Sequence, residues 1–201
     1  MLVKKMGRKI ILASKSKVRK EILDKHGLNC EVQPSNVDED TVKVSLERQK
    51  ASPEEVSKNL AELKANKVSQ KFTEEFVIGA DSVIDLKGKV ISKPTDRNQA
   101  YEILKSLNGE THYLISSVCI SKSGNMIWNF TDKAALTMKN MTENEMKEYL
   151  SNISDEALYA YNVYQIEGLG RSLFSKIEGN ENTIMGLPVE KIKDYLKNYN
   201  E

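Results

Sequence analysis

Two short, almost wholly apolar runs, "KIILA" at residues 9–13 and "FVIGA" at 76–80, each adjoin a stretch with helical periodicity. That alternation confines the chain to an α/β arrangement, because runs this short and this apolar read as strands buried on both faces. After the first run, Val18 and Ile22 fall four residues apart, the spacing of one helix face. Before the second lies the strongest helical pattern, residues 52–72. Ser52 can cap it, Pro53 suits its first position, Glu55 completes a capping box, and Val56, Leu60, Leu63 and Val68 form an apolar stripe. The second run is expected to break over 79–82 and then turn as a hairpin near "LKGK".

A further helix is predicted in "DRNQAYEILKSL", with Ala100, Ile103, Leu104 and Leu107 inward and Gly109 as its stop. From 111 to 139, two alternating strands flank "KSGN" and should make the longest hairpin, with Met126, Trp128 and Phe130 on one face. Thr142 and Glu145 open a second capping box, and Pro188 opens the last helix. Hairpins set among alternating helices and strands require a mixed sheet rather than a purely parallel one. No repeat, low-complexity tract or linker marks a boundary, so residues 1–201 are expected to form one compact unit with a cleft.

A chain of 201 residues is long enough to bury roughly two thirds of its unfolded surface, which argues against a disordered tail. Lys and Arg total 30 against 29 Asp and Glu, so bulk charge gives no reason to expect nucleic acid as a partner. Cys30 and Cys119 match no metal or redox spacing and read as two reduced thiols, which points to the cytoplasm. The N-terminus is basic, but its "IILA" is too short for a signal sequence, and no later run could span a membrane.

Five places carry side chains that could do chemistry. In "ASKSKVRK", Ser14, Ser16 and main-chain N–H groups at a helix start form a ready anion site, and Arg19 adds a planar fork suited to phosphate. The alternative is that Ser16 merely caps the helix while Arg19 and the lysines are solvated. Asp81 ends an apolar run, where a charge is costly unless paired or liganded; the alternative is a structural turn cap. Lys64 lies four residues from both Leu60 and Val68, at the edge of an apolar stripe, from which a lysine ordinarily snorkels to solvent. Lys93 is displayed from the extended backbone before Pro94, and "NVDEDT" sets Asp38, Glu39 and Asp40 in a loop that could hold Mg²⁺ or Mn²⁺ or be no more than an acidic surface.

Read together, these stretches resemble the Maf family, which shares its architecture with the inosine triphosphate pyrophosphatases. "LASKSKVRKEIL" is similar to the family's opening "LASxSPRRxxLL"; "DE", "LAELKA", "GADSVI", "SKP", "LNGETH" and "EGLGRSLFSKIEGN…GLP" follow in the family's order. The resemblance implies a mixed twisted sheet flanked by helices, in two lobes around a central cleft. It also implies metal-dependent hydrolysis of nucleoside triphosphates to monophosphate and pyrophosphate, by a homodimer in the cytoplasm that clears unwanted nucleotides. On this resemblance Asp81 is the proton acceptor, Glu39 with Asp81 holds the divalent cation, and Lys64 and Lys93 face phosphate. Ser14, Ser16, Arg19 and Ser82 complete the substrate cradle. A nucleotide-binding regulator of septum formation is the alternative function.

Three departures bear on the accepted base. Lys17 and Val18 replace a proline and the first of two arginines, and no basic residue stands in "ALYAYNVY", where the family often has a lysine. "VYQIEG" replaces the "AYGIQG" of the pyrimidine-selective branch, so a glutamine becomes Glu167. An ionised carboxylate only accepts hydrogen bonds, which suits the adjacent N1–H and N2–H donors of a guanine-type base better than uracil or thymine.

Overall fold

A computed structural model describes residues 9–199; of the basic N-terminal stretch read above against a signal sequence, residues 1–8 lie outside it. The strands are β1 (Ile10–Leu12), β2 (Cys30–Val32), β3 (Phe76–Leu86), β4 (Lys89–Ile91), β5 (Thr111–Lys122), β6 (Asn125–Met138) and β7 (Phe174–Glu178). They form a seven-stranded sheet in the order β2-β1-β3-β5-β6-β7, with β4 also paired to β3. β1 runs parallel to β2 and β3, and every other pairing is antiparallel. The sheet is therefore mixed, as the intruding hairpins require.

The helices are α1 (Lys17–Lys25), α2 (Glu39–Arg48), α3 (Pro53–Ser69), α4 (Arg97–Leu107), α5 (Glu143–Ser151), α6 (Asp155–Tyr161), α7 (Glu181–Ile184) and α8 (Val189–Asn198). Their starts follow local chemistry. Ser52 and Thr142 close reciprocal capping boxes with Glu55 and Glu145, Ser16 accepts from the Arg19 N–H, and Pro188 precedes α8. The acidic stretch around Glu39 is not a loop: Asp38 caps α2, and Glu39 is its first residue.

β3 does not break at 79–82. It runs unbroken for 11 residues, because Gly79 is needed for close packing and not for a bend. A Cβ there would stand 2.2 Å from the Ala61 carbonyl oxygen and 2.7 Å from the Ala65 nitrogen, so α3 lies directly on the strand. The buried face of α3 is Val56, Leu60, Lys64 and Val68 with Ala61 and Ala65, a strict four-residue series that leaves the expected Leu63 exposed at 41%. On β6 the apolar trio is also split. One extra residue at the Ile120/Ser121 step turns Met126 toward Ala61, Ala65 and Cys119, while Trp128 and Phe130 pack on the opposite face.

Alternation along β3 divides the molecule. Val77 and Val83 face α3, whereas Phe76, Ile78, Ala80 and Ile84 face away from it. On that second face there are two apolar cores. One joins Phe76, Ile78 and Ala80 to α1 and α8; the other joins Ile84, Leu114 and Leu136 to α4, α5 and α6. They are the two lobes.

Candidate active site

β1 pairs with residues 76–78 of β3, and β4 pairs with 84–86 on the same edge, since β5 occupies the other. Among the described residues, no strand therefore lies beside residues 79–83 on that edge. Into this gap the chain leaves β1 through Ser14, Lys15 and Ser16 and enters α1. A cavity of about 460 Å³ opens there, a volume in the range of small-ligand sites. Ser14, Ser16, Arg19, Glu39, Lys64, Asp81, Ser82, Lys93 and Glu167, drawn from six separate stretches of the chain, all line it.

Arg19 spans the gap. Its Nη1 donates to the Ala80 carbonyl at 2.9 Å and to Ser14 Oγ at 3.3 Å, its Nε to the Gly186 carbonyl at 2.9 Å, and its Nη2 to Ser82 Oγ at 3.2 Å. The guanidinium thus replaces the missing strand as a partner for β3, and all but one of its donors are committed to protein acceptors. Burial lowers its pKa, opposed by Asp81 and Glu39.

On the α3 side, Asp81 and Lys64 are 5% and 6% exposed. Lys64 Nζ lies 2.7 Å from Asp81 Oδ1 and 2.9 Å from Glu39 Oε1, so one ammonium joins two carboxylates. It does not snorkel outward, because its apolar neighbours point it at these two anions. Burial would raise the Glu39 carboxyl, but Lys64, then Lys43 and Arg19, outweigh it and hold the group below its ordinary pKa. Asp81 Oδ2 is buried with no hydrogen-bond partner among the described residues. Such an atom in a cavity wall is an open valence for a proton, a water or a cation.

The cavity is lined by five cationic side chains, Lys15, Arg19, Lys43, Lys64 and Lys93, against three carboxylates, which suits a polyanion. Burial lowers the Lys93 pKa, with Lys43 and Arg19 adding, while Glu39 and Asp81 oppose. Lys43 and Lys15 were not singled out from sequence. Lys43 follows Glu39 by four residues on α2, the spacing of one helix face, but the stretch read as a loop hid that signal. Tyr164, Gln165 and exposed Glu167 also line the cavity, with Asn162, whose side chain donates to the Ser92 carbonyl at 3.2 Å. Among the described residues, no three His, Cys, Asp or Glu side chains cluster as a preformed metal cage.

Comparison with known proteins agrees with this layout. The family described as Maf-like protein matches residues 9–199. A nucleoside triphosphate pyrophosphatase of Pelagibacter ubique (strain HTCC1062) is 70% identical over 192 residues, covering 96% of this chain and 98% of that protein. A 7-methyl-GTP pyrophosphatase of Rhizobium etli is 40% identical over 184 residues, covering 92% of each. Among solved structures, the Staphylococcus aureus Ham1 protein aligns with a TM-score of 0.51 at 12% identity, over 96% of this chain and 100% of that one. At that identity the likeness establishes a shared fold.

Proposed function

The chain belongs to the Maf-like protein family, and on that premise we propose that it hydrolyses nucleoside triphosphates at the α-phosphorus, releasing nucleoside monophosphate and pyrophosphate. The observation that carries this is the open, buried Asp81 Oδ2 beside an ammonium-bridged carboxylate pair, in a cavity lined mainly by cations. A site that only held a nucleotide would need the cations but no unpaired carboxylate oxygen.

In this reading Asp81 Oδ2 accepts the proton of the attacking water. Lys64, with two donors on Asp81 and Glu39, has a third for a phosphate oxygen. Lys93, Lys43 and Lys15 take up charge developing on the leaving pyrophosphate, and Ser14 and Ser16 meet it at the start of α1. Lys43 supplies the positive charge missing from "ALYAYNVY". The residues also fit a divalent cation. Mg²⁺ is held by one or two carboxylates together with substrate phosphates, and Glu39, with Asp81 beside it, supplies that chemistry. When bound, such an ion supplies charge neutralisation and a lowered pKa for water. A homodimer acting on unwanted nucleotides in the cytoplasm completes the proposal, on family grounds.

Glu167 on the cavity wall favours a guanine-type base, a reading that agrees with the name of the Rhizobium relative. Glu167→Gln is expected to lower kcat/KM for guanosine and 7-methylguanosine triphosphates about tenfold relative to uridine triphosphate. Unchanged selectivity rules the residue out. The reaction itself is tested by separating products on anion exchange after incubation with Mg²⁺ or Mn²⁺ and a panel of triphosphates, beside Asp81→Asn. Monophosphate and pyrophosphate, absent from the variant, support the proposal; tight nucleotide binding without turnover favours a regulator.

A further inference from the structure

On the sheet face away from α3, a row of polar residues separates the two apolar cores. Ser82 of β3 stands opposite Ser116 of β5, and Ser116 opposite Asp132 of β6. Ala80, Val118 and Phe130 lie on one side of the row, and Ile84, Leu114 and Ala134 on the other. Ser116 and Thr183 are fully buried at 0% exposure. Ser116 Oγ donates to the Thr183 carbonyl at 2.7 Å and lies 2.8 Å from Ser82 Oγ, and Thr183 Oγ1 donates to Asp132 Oδ2 at 2.6 Å.

A hydroxyl carries a single proton, which fixes the direction of the chain. Ser116 gives its proton to a carbonyl, which can only accept, so the contact between the serines uses the proton of Ser82. Ser82 Oγ meanwhile accepts from Arg19 Nη2. Although Ser82 lines the cavity, it has no proton left for a phosphate oxygen. Ser14 is the reverse case. Its Oγ accepts from the Ser16 N–H at 3.2 Å and from Arg19 Nη1 at 3.3 Å, which fills its acceptor positions and leaves its proton to point into the cavity.

We propose that Ser82 and Ser116 are positioning residues that fix Arg19, and through Arg19 aim the Ser14 hydroxyl at the substrate's phosphates. This rests on the pyrophosphatase reading for the identity of the anion, so the test measures anion binding apart from turnover. Inorganic pyrophosphate, with Mg²⁺, is titrated calorimetrically into the full chain as wild type, Ser14→Ala, Ser82→Ala, the double variant and Ser82→Thr. Ser82→Ala should weaken binding about tenfold in the wild-type background but less than about twofold once Ser14 is gone, because both changes remove one shared interaction. Ser82→Thr, which keeps the hydroxyl, should restore it.

Equal losses in both backgrounds would mean that Ser82 meets the anion itself, and no loss in either, or no pyrophosphate binding by wild type, would equally overturn the proposal. Should Ser82→Ala not fold, Ser116→Ala enters the same cycle; it lies outside the cavity, so a loss that vanishes in the Ser14→Ala background travels through Ser82. An intact binding cycle in a protein that releases no pyrophosphate from any triphosphate would refute the enzymatic reading alone and leave this one standing.

Discussion

Asp81 and Ser82 are neighbours in one strand, yet they look out on opposite faces of the sheet and meet opposite solutions to burying a polar group. On the α3 face, Asp81 is paired by Lys64 through one oxygen, and its other oxygen has no partner. On the far face, every proton from Ser116 to Ser82 is assigned, and Arg19 is bound on several sides. The difference teaches where reactivity can reside. An open valence is costly and persists where a ligand will use it, whereas a closed network makes a rigid frame. The same far face contains the other buried atom without a partner among the described residues, His112 Nδ1. It is 0% exposed, packed against Tyr164 and Phe174, and has no part in the cavity wall. Of these two residues, Asp81 alone lines the cavity.

The largest effect is expected at Asp81. Asp81→Asn keeps the shape and removes the proton acceptor, so turnover should fall about a thousandfold while the unfolding midpoint moves little. Retained activity would place the open valence outside the chemistry. Next comes Lys64→Met, which strands Asp81 in a buried wall without its counter-charge. Chemical denaturation should report a loss of roughly 3 kcal/mol, accompanied by collapse of activity. Gly79→Ala tests the packing that brings Lys64 to Asp81. With a Cβ 2.2 Å from the Ala61 carbonyl, α3 must move, and roughly 2 kcal/mol of stability should be lost along with kcat. A variant as stable and active as the parent would show that α3 is not held so closely.

A pH dependence tests the contrast on the closed face. Burial pushes the His112 pKa down to about 4 from 6.5, so within that window only the unfolded chain takes up the proton. Stability should therefore fall as pH falls from 6.5 toward 4, by roughly 1.4 kcal/mol per pH unit in the middle of the window. In His112→Phe this part of the slope should vanish, which a comparison of denaturation midpoints at several pH values would show.

Much of the frame was legible in the chain. Capping residues announced α3 and α5, the "LKGK" and "KSGN" turns announced their hairpins, and misplaced polar residues marked Asp81 and Lys64. Leu63 and Met126 lie on other sides than their apolar stripes imply, because an apolar period tolerates a slip of one position, and a bulge inserts such a slip. The expected break over 79–82 is absent because sequence shows that Gly79 lacks a side chain but not what takes its place.

What the sequence determined by itself is everything that acts over a few residues: caps, turns, apolar period, and which side chains were out of place. What only the tertiary structure decided is pairing. Lys64 and Asp81 are 17 positions apart, Arg19 and Gly186 are 167 apart, and Ser116 and Thr183 are 67 apart. A sequence states which groups can donate or accept, but the direction of each proton and the one oxygen left open follow from which partners the fold brings within about 3 Å.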